Sequence, residues 1–136
     1  MNDEYRIMEN ANDSFKITRF TDLNAWQKGH QLVLDIYRLT EPFPIKEQYG
    51  LTNQMRRASV SITSNIAEGF SRQSFKEKIQ FYSMSKGSLT ELQNQLIIAK
   101  DIGYISLEIY SSAMDQTTII HKIINGLIKS SKSHHS

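Results

Sequence analysis

The sequence predicts an all-α protein that folds as an antiparallel up-down four-helix bundle. Four stretches repeat apolar residues at spacings of three and four, which is the pattern of helices with one buried face. These stretches have similar lengths and are joined by short connections containing Pro, Gly or Ser. The chain of 136 residues is long enough for one sizeable core, so a single bundle accounts for it.

The ends of the chain carry little fold signal. Residues 1–20 show no sustained periodicity, and we predict a mobile N-terminal lead-in there. The bundle is expected to occupy residues 21–129. Residues 130–136 are polar and rich in Ser, and we predict a disordered tail.

The first helix is predicted to begin at a cap formed by Thr21 or Asp22 and to end near Leu39. Its apolar face places Trp26 and His30 inward, where both are expected to serve as packing residues. The segment Glu41-Pro-Phe-Pro44 excludes a helix, because each proline biases its predecessor towards extended geometry.

The second helix is predicted over Leu51–Glu68, with Gly69 as a left-handed stop. Asn65 falls near the centre of its apolar stripe, and a buried amide is costly unless it is paired. A neighbouring helix with hydrogen-bonding groups of its own must therefore approach closely. We predict a structural polar network between the second and third helices, made of Asn65, Glu68, Ser88 and Glu91, with Ser85 beside it.

The third helix is predicted to start after Ser74, with Glu77 completing a capping box, and to end before Gly103. A fourth helix is expected from about Ser106 to Lys129. The third helix carries a second apolar row, made of Met84, Ile98 and Ile102. Such a row is a liability on a small protein unless it is covered, so we expect a homo-oligomer.

Several classes of function are disfavoured by composition. Disulfides and thiolate metal sites are excluded because the chain contains no cysteine. No run of about 18 apolar residues and no secretory signal is seen, so a cytoplasmic protein is expected. No nucleophile, base and orienting group can be assembled, and no Glu-x-x-His pair offers a di-metal site. We therefore expect no enzyme, no catalytic residues, no metal and no cofactor.

Basic residues are the main surface signal. Residues 1–13 hold four carboxylates against one arginine, so the net charge of +2 leaves +5 for the rest of the chain. We predict a phosphate-binding surface made of Arg56, Arg57, Arg72 and Lys76, with Arg56 facing outward. In one chain these cations are expected to form two patches about one helix length apart, which an oligomer would repeat. The alternative is a solvated surface in which Arg57 and Arg72 pair internally with Glu68 or Glu91. No aromatic residues interleave with these cations, so weak sequence specificity is expected.

Two motifs carry a family resemblance: Gln54-Met-Arg-Arg-Ala-Ser-Val-Ser-Ile62 with Asn65-Ile-Ala-Glu-Gly69, and Gly87-Ser-Leu-Thr-Glu91. Together they resemble the four-helix-bundle proteins encoded in intervening sequences of bacterial large-subunit ribosomal RNA genes. The resemblance covers residues 20–128. It implies a bacterial bundle that forms five-membered rings, hence a homopentamer, and it points to structured RNA, or DNA, as a partner.

The accessory proteins of diversity-generating retroelements look like the same bundle and bind a reverse transcriptase. The resemblance therefore leaves two functions open. The chain is a nucleic-acid-binding oligomer, or it is a protein-binding adaptor such as a reverse-transcriptase accessory subunit.

Overall fold

The computed structural model describes residues 16–135, with side chains up to residue 133, and within that range it contains four long helices and no strand. The helices are α1 (Asn24–Thr40), α2 (Leu51–Ser71), α3 (Phe75–Ile102) and α4 (Leu107–His135). Two short 3-10 turns, Phe20–Asp22 and Ile45–Glu47, precede α1 and α2 respectively. The prediction of an all-α four-helix bundle is confirmed.

The α1–α2 and α3–α4 connections meet at one end of the bundle. The Phe43 and Tyr104 rings lie 5.1 Å apart between centroids, and the Tyr104 hydroxyl donates to Glu47 at 2.8 Å. The short α2–α3 turn lies at the opposite end, together with the start of α1 and the end of α4. Adjacent helices therefore run antiparallel.

The core of α1 is turned away from the predicted face. Its buried positions are Ala25, Gly29, Leu32, Ile36 and Thr40, whereas Trp26 is only partly buried and His30 is exposed. The predicted inward placement of His30 is therefore wrong. The small residues at Ala25 and Gly29 allow α2 to approach, and a Cβ on Gly29 would lie 3.0 Å from the Thr63 methyl group.

Helices α2 and α3 approach closely through small polar side chains, as the sequence predicts. The Ser85 hydroxyl is buried and donates to the Ile62 carbonyl at 2.8 Å. The hydroxyls of Ser61 and Ser88 lie 2.8 Å apart across the same interface. Because their hydrogen bonds are satisfied there, these serines allow close approach without leaving polar groups unpaired.

Two glycines have roles that differ from the prediction. Gly69 lies inside α2, which continues to Ser71, so it is not the helix stop. Its buried position instead admits the Tyr82 ring of α3, since a Cβ there would lie 2.8 Å from Tyr82 Cε1. Gly103 does end α3 in the left-handed region, with a φ of 95°.

The helix caps agree only partly with the prediction. Ser74 caps α3 by accepting the Glu77 N–H at 3.1 Å. Asp22 instead accepts the N–H groups of Thr18 and Arg19 and closes the 3-10 turn, so α1 begins after Leu23 without a side-chain cap.

The boundaries of the bundle are wider than predicted at both ends. Ile17 packs against the core, so the bundle includes part of the predicted lead-in, whose first 15 residues lie outside the described range. Helix α4 continues to His135, although a disordered tail was predicted from residue 130. The serines tolerate this helix because Ser131 and Ser133 donate to the carbonyls of Leu127 and Lys129, four residues earlier.

Candidate nucleic-acid interface

The sequence predicts that Arg56 faces outward. In the structure it instead joins α2 to the end of α1. Its Nε donates to the Thr40 hydroxyl at 2.9 Å, and its Nη2 donates to the Tyr37 carbonyl at 3.3 Å. The guanidinium also lies 4.6 Å from the Tyr37 ring centroid and pairs with Glu41 at 3.3 Å. These contacts hold the guanidinium against α1, so the predicted outward orientation of Arg56 is wrong, whereas a phosphate contact there stays a prediction.

Arg72 is also held internally, at the turn between α2 and α3. Its guanidinium pairs with Glu68 at 3.3 Å and with Glu77 at 3.9 Å, and it lies over the Phe81 ring. This matches the alternative in which Glu68 holds Arg72. Arg72 therefore links the end of α2 to the start of α3 across the turn.

Lys78 caps the C-terminal end of α2. Its ammonium donates to the Phe70 carbonyl at 2.7 Å and to the Gly69 carbonyl at 3.4 Å. Carbonyls at the end of a helix lack partners within the helix, and a cation there is favourable. Partial burial lowers the pKa of Lys78 from its ordinary value.

Arg57 and Lys76 are the two predicted cations that remain available. Both side chains are exposed, and neither forms an ion pair with another residue of the described range. They lie near opposite ends of the bundle, since Arg57 follows the start of α2 and Lys76 follows the start of α3. The predicted cations therefore lie in two separate patches of one protomer, as the sequence predicts.

The fold separates charge between the two ends of the bundle. We call the end that holds the α2–α3 turn the basic end. The end that holds the α1–α2 and α3–α4 connections is the acidic end. Each residue is assigned to the end that is nearer to it along its helix. Among residues 16–135, ten cations and three carboxylates belong to the basic end, a net of +7. In the same range, five cations and seven carboxylates belong to the acidic end, a net of −2. The cations of the basic end are Lys16, Arg19, Lys28, Arg72, Lys76, Lys78, Lys86, Lys122, Lys129 and Lys132.

Helix α4 supplies cations that are not among the residues predicted from the sequence. Lys122, Lys129 and Lys132 are exposed and form no ion pair with any residue that the structure describes. Because these residues lie within an arc of about 80° and span about 15 Å along the helix, they form one stripe. Lys28 of α1 and Lys76 of α3 are exposed on the two helices that flank α4. The antiparallel order of the helices could have revealed this cluster, because it brings the end of α4 beside the start of α3.

The predicted polar network exists in part. Asn65 is half-buried, and its side-chain amide donates to the Ser61 carbonyl at 2.9 Å and to the Ser61 hydroxyl at 3.1 Å. The Ser61 hydroxyl continues the chain of hydrogen bonds to Ser88. Glu68 lies outside this network, because it pairs with Arg72. Glu91 is exposed, and no hydrogen bond links it to another described residue.

The histidines have the character of packing residues. His30 stacks on Trp26, with 4.8 Å between ring centroids. The His121 ring lies 3.3 Å from the Asn125 amide, and burial together with the charge of Lys86 lowers the pKa of His121. Within residues 16–135 no three His, Cys, Asp or Glu side chains gather as a metal site. None of the described helices combines the length and hydropathy that a membrane span requires.

Comparisons with known proteins agree with this architecture. The family model described as 23S rRNA-intervening sequence protein matches residues 21–126. A crystal structure from Bacteroides thetaiotaomicron, of a protein with unknown function from the S23 ribosomal protein family, is similar at a TM-score of 0.70 and 26% identity. That match covers 77% of this chain and 95% of the other. No curated protein matches the chain. Neither match indicates an enzyme family, and the chain belongs to the 23S rRNA-intervening sequence protein family.

Proposed function

We propose that this protein is a non-enzymatic, oligomeric bundle that binds the phosphates of structured RNA through its basic end. The observation that carries this proposal is the lysine stripe of α4, with Lys28 and Lys76 on the flanking helices. Five exposed lysines without ion-pair partners among the described residues project from three neighbouring helices at one end of the molecule. The description of the family as 23S rRNA-intervening sequence proteins favours RNA as the ligand.

Lysine contacts of this kind predict binding that depends strongly on salt and weakly on sequence. Each phosphate contact contributes about −0.7 for single strands, or −0.9 for B-form duplexes, to the slope of log affinity against log salt. Five contacts in one protomer therefore predict a slope of about −3.5 to −4.5. The lysines reach backbone charge rather than base edges, so hairpins of unrelated sequence should bind with similar affinity.

The test is a filter-binding titration with an RNA hairpin across salt concentrations. The triple variant K122Q/K129Q/K132Q should reduce the magnitude of the slope by about 2 to 2.7 in each protomer. The single variants K129Q and K46Q form a matched pair, since Lys46 is an exposed lysine at the acidic end. K129Q should weaken binding and K46Q should not. Absence of salt-dependent affinity, or an unchanged slope in the triple variant, would refute the proposal.

Self-association is the second part of the proposed function. The apolar row of α3 stays exposed in the single chain, with Met84 at 51%, Ile98 at 38% and Ile102 at 55%. Burial of apolar surface stabilises assemblies by about 25 cal/mol for each Å². A closed ring, which the family resemblance implies to be a homopentamer, would repeat the lysine stripe and multiply weak contacts. Light scattering should give a mass several times 15.7 kDa, and a monomer would contradict this part.

A protein-binding adaptor is the second candidate, and the acidic end favours it. Ile45 and Tyr49 are each 87% exposed in the connection before α2, and Leu107 at the start of α4 is 69% exposed. Exposed apolar side chains beside a net negative charge suit a basic protein, such as a reverse transcriptase that itself binds nucleic acid. Loss of capture of such a partner by I45S/Y49S, with RNA affinity unchanged, would support this candidate.

A further inference from the structure

Aromatic side chains at the start of α1 form a stack on the surface of the basic end. The Trp26 and His30 rings lie 4.8 Å apart between centroids and are nearly parallel, with an interplanar angle of 10°. The Phe20 ring, which is 37% exposed, meets the Trp26 ring edge-on at 5.5 Å. The indole is therefore held in place by two aromatic contacts, one at its edge and one at its face.

The stack ends at His30, whose side chain is exposed. Trp26 covers one face of the imidazole, and no second ring among residues 16–135 stacks on the other face. His30 also lies outside the hydrophobic core, so core packing does not account for the stack. An exposed ring that is already ordered binds a planar partner at a low cost in conformational entropy.

Cations lie on both sides of this stack. Lys16 and Arg19 are exposed in the segment that leads into the turn before α1. Lys28 is two residues from both Trp26 and His30, so it lies on the opposite side of α1, where it lines the groove between α1 and α4. Because a helix is about 10 Å wide, a few unpaired nucleotides can extend from Lys28 to the stack. The stack is therefore within reach of RNA that is held by the lysines of the basic end.

The exposed face of an aromatic ring complements the face of a nucleobase. We propose that His30 stacks an unpaired base of the bound RNA, which extends the Trp26–His30 stack by one ring. This inference rests on the proposed function for its ligand, RNA, and adds unpaired bases to the phosphates that are recognised. Every base has a π face, so the contact tolerates different sequences. Paired bases in a helix are not free to stack in this way, so RNA with a single-stranded segment should bind more tightly than a fully paired duplex.

The test compares two RNA hairpins that differ only in whether their single-stranded tail carries bases. One hairpin has a short tail of adenosines, and the other has an abasic tail of equal length. The two hairpins carry equal numbers of phosphates, so the lysine stripe cannot distinguish them. The adenosine tail should raise the affinity by about 5- to 150-fold relative to the abasic tail, as expected for one stacked base.

Two substitutions at His30 separate stacking from other roles of the imidazole. H30L keeps the face of Trp26 covered but removes the outer aromatic ring, so it should abolish the advantage of the adenosine tail. H30F supplies another aromatic face and should preserve that advantage. The matched control is Y49A, because Tyr49 is an aromatic residue that is 87% exposed at the acidic end. Since His30 is exposed, both variants should keep the bundle folded.

NMR of the full chain provides a direct readout of the stacked base. The carbon-bound ring protons of His30 are identified as the histidine resonances that are missing from H30L. A base that stacks on the imidazole should shift these resonances upfield through its ring current. The hairpin with the abasic tail should not produce this shift.

The outcomes separate this inference from the proposed function. Equal affinity for the two tails, or a full tail advantage in H30L, would overturn the stacking site and leave the salt-dependent affinity of the lysine stripe intact. Loss of the advantage in H30F as well would overturn stacking as the role of His30. Resonances of His30 that shift with protein concentration but not with RNA would overturn it by assigning this face to a second copy of the chain. Absence of affinity for both hairpins would refute the proposed function and this inference together.

Discussion

Replacing Arg56 by Ala tests whether that arginine stabilises the bundle or serves as a surface cation. The side chain is 27% exposed and contacts Tyr37, Thr40 and Glu41 at the end of α1. We expect R56A to lower the free energy of unfolding and to leave the salt slope of RNA binding unchanged.

The expected decrease in the free energy of unfolding follows from the individual contacts of Arg56. The pair with Glu41 contributes little, because Glu41 is 82% exposed and such pairs contribute about 0 to 1 kcal/mol. The contact with the Tyr37 ring adds about 0.5 to 1 kcal/mol. The charge-assisted hydrogen bond to the Thr40 hydroxyl, which is partly buried, adds about 1.5 kcal/mol. Because such contributions do not simply add, we expect a loss of about 2 kcal/mol.

The assay is urea unfolding followed by circular dichroism, with R57A as the control. Arg57 is the adjacent residue, is exposed and has no ion-pair partner among the described residues, so R57A should change stability by less than about 0.5 kcal/mol. Equal stability of the two variants would show that the contacts of Arg56 contribute nothing. A reduced salt slope in R56A alone would restore Arg56 as a phosphate contact.

Three further outcomes are expected. Q95L should stabilise the protein by about 1 kcal/mol in urea unfolding, because it removes an unpaired buried oxygen, whereas Q93L should destabilise it by losing the 2.9 Å hydrogen bond to Thr117. G69A should lower the free energy of unfolding by about 1 to 3 kcal/mol, because the added Cβ would lie 2.8 Å from Tyr82 Cε1. G87A should raise it by about 0.5 to 1 kcal/mol, because a Cβ added there has no atom within 4 Å. The Leu51 N–H and then the Tyr104 hydroxyl lower the pKa of Glu47 below its ordinary 4.5, so its stabilisation is present above pH 4.5 and is lost as the pH falls through the lowered pKa. The stability difference between the wild type and E47Q should therefore shrink in acid, and a constant difference from pH 7 to pH 3 would contradict this reasoning.

The sequence was sufficient to predict those features of the fold that depend on residues close together in the chain. The spacing of apolar residues predicted four helices, Ser74 and Gly103 marked the two ends of α3, and the serines of the two motifs indicated that α2 and α3 approach closely. These features depend on residues within a few positions of each other, or on a face that one helix must bury. The same rules failed for residues 130–135, because a serine can end a helix or donate to a carbonyl one turn earlier.

Charge and burial at the candidate site were decided by the tertiary structure alone. Arg56 and Arg57 are neighbours in the sequence and equivalent in composition, yet Arg56 contacts the end of α1 and Arg57 lines an open groove. Lys76 and Lys132 are 56 residues apart in the numbering, yet the antiparallel order of α3 and α4 brings both to the basic end. A sequence lists the charges that a chain contains. Which of them remain free depends on the side chains that the other helices bring within reach, and only the packing of those helices fixes that.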